Sequence, residues 1–352
     1  MAANCGFGAA KMTPATTNPN RAKFSRELEP LNVKPLWERV MRLKAGTAAV
    51  PAIWRWKDVQ PFLMRAAELI TTQEAERRVL MLENPALKGT TFATTTLYAG
   101  LQVILPGEIA RTHRHAPNAL RLIVEGDGAY TAVDGERTTM RPGDFVTTPN
   151  WAWHDHGNLG SGPVVWLDGL DTAFANMFGA HFREDYPQES QPVSRAEGNA
   201  AARYGANLLP LEYRPTGSAT PVLSYPYPRT REALEQLARN GEPHAAHGYK
   251  LRYANPATGG HAFPTMAVCM QWLPRGFSGR KVRGTDGAVF CVVEGHGSVR
   301  FGDTRFDFAP HDVFVVPSWE FYQLQAVTDC VLFSYTDRAA QEALGFWREE
   351  ST

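Results

Sequence analysis

The chain has no surplus of either charge and no long apolar run. Its 352 residues include 36 Lys and Arg and 36 Asp and Glu, so the formal net charge is zero. Proteins that bind nucleic acid usually carry a basic surplus, so this balance argues against nucleic acid as a partner. No apolar run reaches the length of about 18 residues that a membrane-spanning helix needs, and we expect no membrane partner.

Cysteine is also scarce. Cys5, Cys269, Cys291 and Cys330 show no close pairing, and the last three lie in apolar, strand-like runs. Buried free thiols are typical of a reducing compartment. The first thirty residues have no continuous apolar core of the kind that a secretory signal contains. We therefore expect a cytoplasmic protein.

The residue pattern changes from helical to strand-like near residue 77. Residues 1–26 are small and polar and predict a mobile tail, while 27–76 predict helices, including one over LNVKPLWERVMRLKAG (31–46). From residue 77 onward, short runs of β-branched and aromatic residues alternate with Gly, Pro and Asp, as in strands. Asp134-Gly135 lies between two such runs and predicts a tight hairpin turn.

The chain contains an internal repeat. ALRLIVEGDGAYTAVDGERTTMRPGDFVTTPNW aligns with AVFCVVEGHGSVRFGDTRFDFAPHDVFVVPSW, so one β-barrel unit occurs twice. We expect a mainly β fold with a first barrel over 77–186 and a second over 259–338. A linker and helix over 187–258 would join the barrels, and 339–352 would form a C-terminal tail.

Three histidines in the first repeat predict a metal site. His113 and His115 are two residues apart, so they face the same side of a strand. His154 follows on a later strand and can complete a three-nitrogen site with open coordination positions, which suits catalysis. His156 shares a strand face with His154 and competes with it as the third ligand.

The second repeat provides an internal control. The alignment places Val282 and Gly284 opposite His113 and His115, and Tyr322 opposite His154. The barrel therefore does not require these histidines, which favours a ligand-binding role over hairpin histidines that only satisfy hydrogen bonds.

The spacing of the histidines resembles the two motifs of the cupin superfamily. These read G-x5-H-x-H-x3-A-x6-G from Gly107 and G-x5-P-x-W-x2-H-x3-N from Gly143. Ala119 stands where cupins usually carry a glutamate, so three neutral imidazoles would leave a divalent metal at +2. That charge favours a bidentate anion such as an ortho-hydroxybenzoate. Nitrogen ligands with open positions suit Fe(II), although Mn, Co, Ni or Zn could enter the same cage.

Residues 77–171 resemble the gentisate 1,2-dioxygenase and salicylate 1,2-dioxygenase family of bicupin iron enzymes. The similarity lies in RRVLMLENP, LYAGLQVILPGE, HRH, ALRLIVEGDGAYTAVDGERTTMRPGDF, WHDHGN and VVWLDGLD, and extends more weakly over most of the chain. The resemblance implies two double-stranded β-helix (jelly-roll) barrels, the second without metal, and a homotetramer. It implies one Fe(2+) per subunit held by His113, His115 and His154. O2 would be the co-substrate, and the ring would open between the carboxyl-bearing and hydroxyl-bearing carbons.

Two arginines are candidate substrate ligands. Arg121 lies among apolar strand residues, where a guanidinium is costly unless it is paired, and its fork of donors fits a carboxylate. The resemblance also places a substrate-contacting arginine here, and the alternative is a core salt bridge with Asp168 or Glu125. Arg77 is a weaker candidate, because Arg77-Arg78 could be a solvated pair.

Four further residues complete the predicted site. Tyr98 and Gln102 share a strand face and match pocket positions of the family, although ordinary strand packing would explain them equally well. Asp168 matches a position near the iron and would orient a histidine or arginine. His156 would take the phenolic proton or steady bound oxygen, and its alternative is a hydrogen bond to Asp155 or the backbone.

One departure from the family pattern bears on the substrate. Many gentisate enzymes carry Ser/Thr-Gln-Ser where this chain has Ala116-Pro117-Asn118, beside the predicted pocket. We expect gentisate or a 5-substituted salicylate such as 5-nitrosalicylate, in aromatic compound degradation. Another cupin metalloenzyme, such as an isomerase or diketone dioxygenase, and a non-catalytic binding bicupin are the alternatives.

Overall fold

The computed structural model describes residues 19–39, 43–206, 208–215 and 217–352. The chain divides into two units, Met1–Ala45 and Gly46–Thr352. In the first unit, α1 (Pro19–Leu28) is helical, which corrects the expected tail over residues 19–26. The remainder of that tail, residues 1–18, lies outside the described residues.

The helix predicted over residues 31–46 is also corrected. The described part of that segment has only a short 3-10 turn at Leu36–Glu38, after another at Glu29–Leu31. Pro30 and Pro35 explain the difference, because proline lacks a backbone donor and disfavours helical backbone in the residue before it. Residues 40–42 of the predicted helix lie outside the described residues.

The second unit is mainly β. Its strands are β1 (Ala52–Trp54), β2 (Arg78–Met81), β3 (Tyr98–Ile104), β4 (Ile109–His115), β5 (Ala119–Glu125), β6 (Ala129–Val133), β7 (Glu136–Thr139), β8 (Phe145–Thr148), β9 (His154–Asn158), β10 (Val164–Leu170), β11 (Arg183–Asp185), β12 (Ser224–Tyr225), β13 (Tyr249–Arg252), β14 (Ala267–Leu273), β15 (Val282–Gly284), β16 (Ala288–Glu294), β17 (Gly297–Phe301), β18 (Thr304–Phe308), β19 (Val313–Val316), β20 (Gln323–Ala326), β21 (Cys330–Thr336) and β22 (Glu349–Ser351). Its helices are α2 (Trp56–Leu69), α3 (Thr72–Ala75), α4 (Thr172–Met177), α5 (Asn199–Tyr204), α6 (Tyr227–Arg239) and α7 (Arg338–Ala343).

These strands form two barrels, as the sequence predicts. The first barrel combines sheets of order β12-β8-β5-β10-β3-β2 and β11-β4-β9-β6-β7. The second combines β1-β19-β16-β21-β14-β13 with the smaller sheets β18-β17-β20 and β15-β22. The bicupin fold class is therefore confirmed. No helix among the described residues is long and apolar enough to cross a membrane.

The strand register agrees with the sequence alignment of the two repeats. His113 pairs with His154 across β4 and β9, and the aligned residues Val282 and Tyr322 form a bridge in the second barrel. The turn at Asp134-Gly135 has positive φ angles of 44° and 86°, as a type I′ hairpin requires.

The barrels exchange edge strands, which the sequence did not predict. β1 precedes the first barrel but pairs with β19 of the second, and β12 precedes the second barrel but pairs with β8 of the first. A helix follows each exchanged strand. The backbone N–H of Trp56, at the start of α2, donates to Asp312 at 2.8 Å, and that of Tyr227, at the start of α6, donates to Asp144 at 2.8 Å.

Several predicted segment boundaries change as a result. The expected helical segment 27–76 contributes β1, and the expected linker 187–258 contributes β12 and β13 to the barrels. The expected C-terminal tail 339–352 instead contributes most of α7, and β22, which pairs with β15.

The two barrels share one hydrophobic core. Leu101, Leu120 and Phe145 of the first barrel belong to the same buried cluster as Val268 and Phe333 of the second, and the rings of Phe145 and Phe333 lie 5.7 Å apart. The rear of each barrel is therefore buried against the other.

Candidate metal centre

Three imidazoles converge at one end of the first barrel. His113 and His115 lie on β4 and His154 on the paired strand β9. Their ring centroids are separated by 4.3 to 5.3 Å, and one nitrogen of each lies within 4.8 Å of the others. The alternation of side chains along a strand therefore produces the cluster that the sequence predicts.

Backbone carbonyls fix the orientation of these rings. The Nδ1 atoms of His113, His115 and His154 lie 3.3 Å from Arg111 O, 2.8 Å from Pro117 O and 3.0 Å from Ala152 O, respectively. For His115 and His154, an Nδ1–H that donates to the carbonyl leaves Nε2 unprotonated and available as a metal ligand; His113 Nδ1 also lies 2.6 Å from the Nη2 donor of Arg77. The Nε2 atom of His154 is buried and has no hydrogen-bond partner among the described residues.

Burial keeps the cluster neutral. It is the main cause that lowers the pKa of His113 to about 2 and that of His115 to about 4, and it lowers the pKa of His154 well below 6.5. A metal ligand must be the neutral imidazole. The orphaned nitrogen, the convergence and the charge state therefore fit a divalent transition metal.

The cluster lines a cavity of about 370 Å³. Five more of the predicted site residues line the same cavity: Arg77, Tyr98, Gln102, Arg121 and Asp168. The cavity thus combines a candidate metal site with two guanidinium groups. That combination suits an anionic ligand.

Arg121 is both buried and paired. Its Nε lies 3.2 Å from Asp168 Oδ1, and its Nη1 donates to Thr148 Oγ1. Arg121 and Asp168 are register partners on β5 and β10, whereas Glu125 is exposed, so the salt bridge is with Asp168. Burial raises the pKa of Asp168 to about 6, and the nearby Arg121 opposes this rise.

Arg77 and Arg78 are not a solvated pair. Arg78 is buried on the opposite side of its strand, where it pairs with Glu108 and donates to the carbonyl oxygen of Ala67 at 3.0 Å. Arg77 points into the cavity, and its Nη2 lies 2.6 Å from His113 Nδ1. Burial lowers the pKa of Arg77 to about 10, with Arg121 as the next cause.

Tyr98 and Gln102 share the inner face of β3. Gln102 is 2% exposed, and burial raises the pKa of the Tyr98 phenol. The second barrel supports this strand, because the hydroxyl of Tyr335 donates to the backbone oxygen of Tyr98 at 2.7 Å.

His156 does not line the cavity, which corrects the prediction that it contacts substrate. Its ring is fully buried, 5.8 Å from His154 and 5.5 Å from Trp166 between centroids. Its Nδ1 lies 2.9 Å from Thr131 Oγ1, so its partner is neither Asp155 nor the backbone. Its Nε2 is buried and has no partner among the described residues.

The rim of the cavity contains residues that sequence analysis missed. Arg183, which pairs with His115 in the register of β11 and β4, forms a salt bridge with Glu76 at 2.6 Å. The triplet RED is too short to give a strand signal, so nothing in the sequence pointed to it. Among the three residues that depart from the family pattern, Ala116-Pro117-Asn118, Pro117 lines the cavity. The side-chain amide of Asn118 instead donates a hydrogen bond to the Asp171 carboxylate at 2.9 Å.

Two cupin barrels with a three-histidine centre in the first define the class of this protein as a bicupin metalloprotein. Residues 100–169 match the family model described as "Cupin domain". The chain is 49% identical over 339 residues to gentisate 1,2 dioxygenase 1 of Aquipseudomonas alcaligenes, which covers 96% of this chain and 97% of that one. It is 34% identical to a 5-aminosalicylate 1,2-dioxygenase of Comamonas sp, over 91% of this chain and 87% of that one.

A solved structure gives the same result. The salicylate 1,2-dioxygenase from Pseudaminobacter salicylatoxidans superposes with a TM-score of 0.89 at 32% identity, covering 96% of this chain and 99% of that one. The chain therefore belongs to the gentisate and salicylate 1,2-dioxygenase family and is a ring-cleaving dioxygenase. The predicted family and reaction class are confirmed.

Proposed function

We propose that the enzyme is an Fe(II)-dependent 1,2-dioxygenase that opens gentisate or a 5-substituted salicylate between the carboxyl-bearing and hydroxyl-bearing carbons. The observation that carries this proposal is the convergence of three neutral imidazoles in a cavity that also contains Arg77 and Arg121. We rank gentisate first among these substrates because the relative at 49% identity is named as a gentisate 1,2-dioxygenase.

The charges in the cavity favour a doubly anionic ligand. Three neutral imidazoles would leave a divalent ion at +2, and the three guanidinium groups that line the cavity exceed its two carboxylates, Glu76 and Asp168, by one. A ring that carries an ionised carboxyl group beside an ionised hydroxyl group would neutralise part of this excess positive charge. When bound, Fe(II) supplies the one-electron chemistry that lets O2 react with an aromatic ring.

The protein residues would bind and orient this substrate. Arg121, held by Asp168, and Arg77 would bind the carboxylate with paired N–H donors. Tyr98 and Gln102 would flank the ring, because both lie on the inner face of β3. Pro117 would lie nearest to a ring substituent among the three residues that depart from the family pattern.

His156 is our candidate for proton transfer, although its ring lies 5.8 Å from that of His154 and does not line the cavity. Its unpartnered Nε2 can hold a proton, and burial keeps the ring neutral by lowering its pKa well below 6.5. His156→Gln should lower kcat throughout pH 5.5 to 7.5, where the ring stays neutral, while leaving the bound metal in place. An unchanged kcat would reject the role.

Oxygen uptake by anaerobically reconstituted enzyme tests the proposal. Fe(II), Mn(II), Co(II), Ni(II) and Zn(II) would each be loaded, and gentisate, salicylate, 5-aminosalicylate and 5-nitrosalicylate offered. We expect uptake only with Fe(II). We also expect His154→Ala to lose both metal and activity, whereas His296→Ala, at an exposed position, retains both. Iron-loaded protein that consumes no oxygen with any of these acids would refute the proposal.

We also propose a cytoplasmic homotetramer with one ion per subunit. The three described cysteines, Cys269, Cys291 and Cys330, are free thiols, as a reducing compartment favours. Met177, Phe178 and Phe182, at the end of α4 and just after it, are each more than half exposed, and we propose that they contribute to the subunit interface. Sedimentation velocity on Phe178→Ser would show dissociation if these residues form the subunit interface.

A further inference from the structure

The metal-free second barrel contains a larger cavity than the metal-binding one. Its volume is about 480 Å³, compared with about 370 Å³ around the histidines. Sites for small molecules typically range from about 300 to 1,000 Å³. The second cavity therefore has room for a small organic ligand.

The second cavity is larger because three positions that carry large side chains in the first barrel carry glycine or alanine in the second. By strand register, Gly248, Ala267 and Gly284 take the positions of Arg77, Tyr98 and His115. The cavity opens to solvent at a rim that includes the exposed residues Glu242, Arg252 and Glu349, so a ligand can enter it.

One wall of this cavity is apolar and lies beside a cation. Phe290 stands where the first barrel has Arg121 and lines the cavity with Val282, Ala288 and Val316, and its ring, which is 1% exposed, stacks on Phe314 at 4.8 Å. The Nζ atom of Lys250 lies 5.9 Å from the centroid of the Phe290 ring. No carboxylate lies within ion-pair distance of the Lys250 ammonium among the residues that the structure describes.

The other charged groups that line the cavity are largely engaged or exposed. Arg338 donates to Glu342 at 2.7 Å and stacks on Trp347, and Asp286 accepts from the Trp347 indole at 3.1 Å. The remaining lining groups that carry charge, Glu242, Glu349 and Arg252, are exposed at the rim. Lys250 is thus the inner cation that a ligand can pair with.

The cavity also contains uncharged polar groups. Tyr322, at the position of the metal ligand His154, lines the cavity together with Cys269 and His247. Burial and then Lys250 lower the pKa of His247 to about 2, so its imidazole is neutral. The Nδ1 atom of His247 is buried without a partner among the described residues, and it can accept a hydrogen bond from a hydroxyl or amino group.

We propose that the second barrel binds a one-ring aromatic carboxylate, with its carboxylate on Lys250, its ring against the apolar wall of Val282, Phe290 and Val316, and a polar substituent toward His247 and Tyr322. This site would act independently of the metal centre. The inference goes beyond the proposed reaction and does not depend on it, because it uses no metal and no residue of the first barrel.

Calorimetric titration of the full chain with 3-hydroxybenzoate tests this inference. That acid lacks the ortho-hydroxyl that metal chelation would use, and oxygen is excluded. We expect a site that persists in the Arg77→Met/His154→Ala variant, which lacks a carboxylate-binding residue and a metal ligand of the first barrel, and that weakens about tenfold or more in Lys250→Met. Lys88→Met, at an exposed position of the first barrel, is the matched control and should bind normally.

Two further experiments test whether the ligand occupies this cavity. Ala267→Tyr places in the second barrel the side chain that partly fills the first, and it should abolish binding. Independently, 3-hydroxybenzoate should slow the modification of Cys269 by methyl methanethiosulfonate, as located by peptide mass spectrometry, and this protection should be lost in Lys250→Met. Binding that Lys250→Met leaves unchanged, the absence of binding, or undiminished modification of Cys269 at saturating ligand would each overturn the inference.

Discussion

The buried histidines predict that the metal-free enzyme loses stability in mild acid. Burial lowers the pKa of six imidazoles, and it does so most strongly for five of them: His113, His115, His154, His156 and His247. The unfolded chain therefore binds protons below pH 6.5 that the folded chain does not bind. The free energy of unfolding then falls as the pH drops through 6.5.

The expected loss is large compared with ordinary protein stability. Between pH 7.5 and 5.5, each such histidine contributes a loss of about 1.4 kcal/mol, or about 7 kcal/mol for five. Asp168 and Asp337 act in the opposite direction, because burial raises the pKa of each to about 6. The folded state then gains about 0.8 kcal/mol from each by pH 5.5. The loss from these seven groups is about 5 kcal/mol, comparable to the whole stability of many domains, and burial of Asp134, Asp144 and Asp171, which raises the pKa of each, reduces it further.

Urea unfolding of chelator-stripped protein at both pH values measures this loss. His156→Gln should reduce the difference between the two pH values by about 1.4 kcal/mol, whatever it does to stability at pH 7.5. His296→Gln, at an exposed position, should leave the difference unchanged. A stability that is flat between pH 7.5 and 5.5 would show that the imidazoles titrate normally and that water fills the cluster.

Three further outcomes follow from the structure. Gly126 has φ +88°, and an added Cβ would lie 2.2 Å from the carbonyl oxygen of Pro163; Gly126→Ala should therefore cost more than about 2 kcal/mol in urea unfolding, whereas Gly162→Ala, with nothing within 4 Å, should cost little. Arg121→Met leaves Asp168 buried without its cation and should cost about 3–5 kcal/mol, which Arg121→Met/Asp168→Asn should largely recover; a double variant no better than the single would contradict the pairing. Removal of the metal should lower the melting temperature, and added Fe(II) should restore it, because a metal that binds only the folded state stabilises it; a melting temperature that ignores Fe(II) would contradict a preformed site.

The sequence predicted the barrels and the histidine cluster because both depend on a period of two residues. Alternation along β4 brings His113 and His115 to one face, and the repeat alignment anticipates the register of His113 with His154. These features are local or repeated, so they can be seen in a linear pattern.

What the sequence did not show depends on distant or very short segments. β1 and β12 contain three and two residues, too few for a periodic signal, and their exchange between barrels is purely tertiary. The depth of His156 could not be predicted either, because its position behind His154 depends on Thr131 and Trp166 from other strands.

A comparison of the two barrels distinguishes the residues that hold the strands in place from the residues that form the metal site. On the outer face of β4, Arg114 stacks on Trp151 at 4.6 Å and forms a salt bridge with Glu184 at 2.6 Å. On the outer face of β15, Arg283 stacks on Trp319 at 4.5 Å and forms a salt bridge with Glu350 at 2.5 Å. Both tryptophans have the same φ of 63°.

These outer contacts hold the equivalent strands in the same way, whether or not a histidine lies on the inner face. The backbone therefore cannot be what confers a metal site. The inner residues confer it, and the same comparison explains how a barrel without the three histidines keeps its shape: the outer contacts are the same in both barrels.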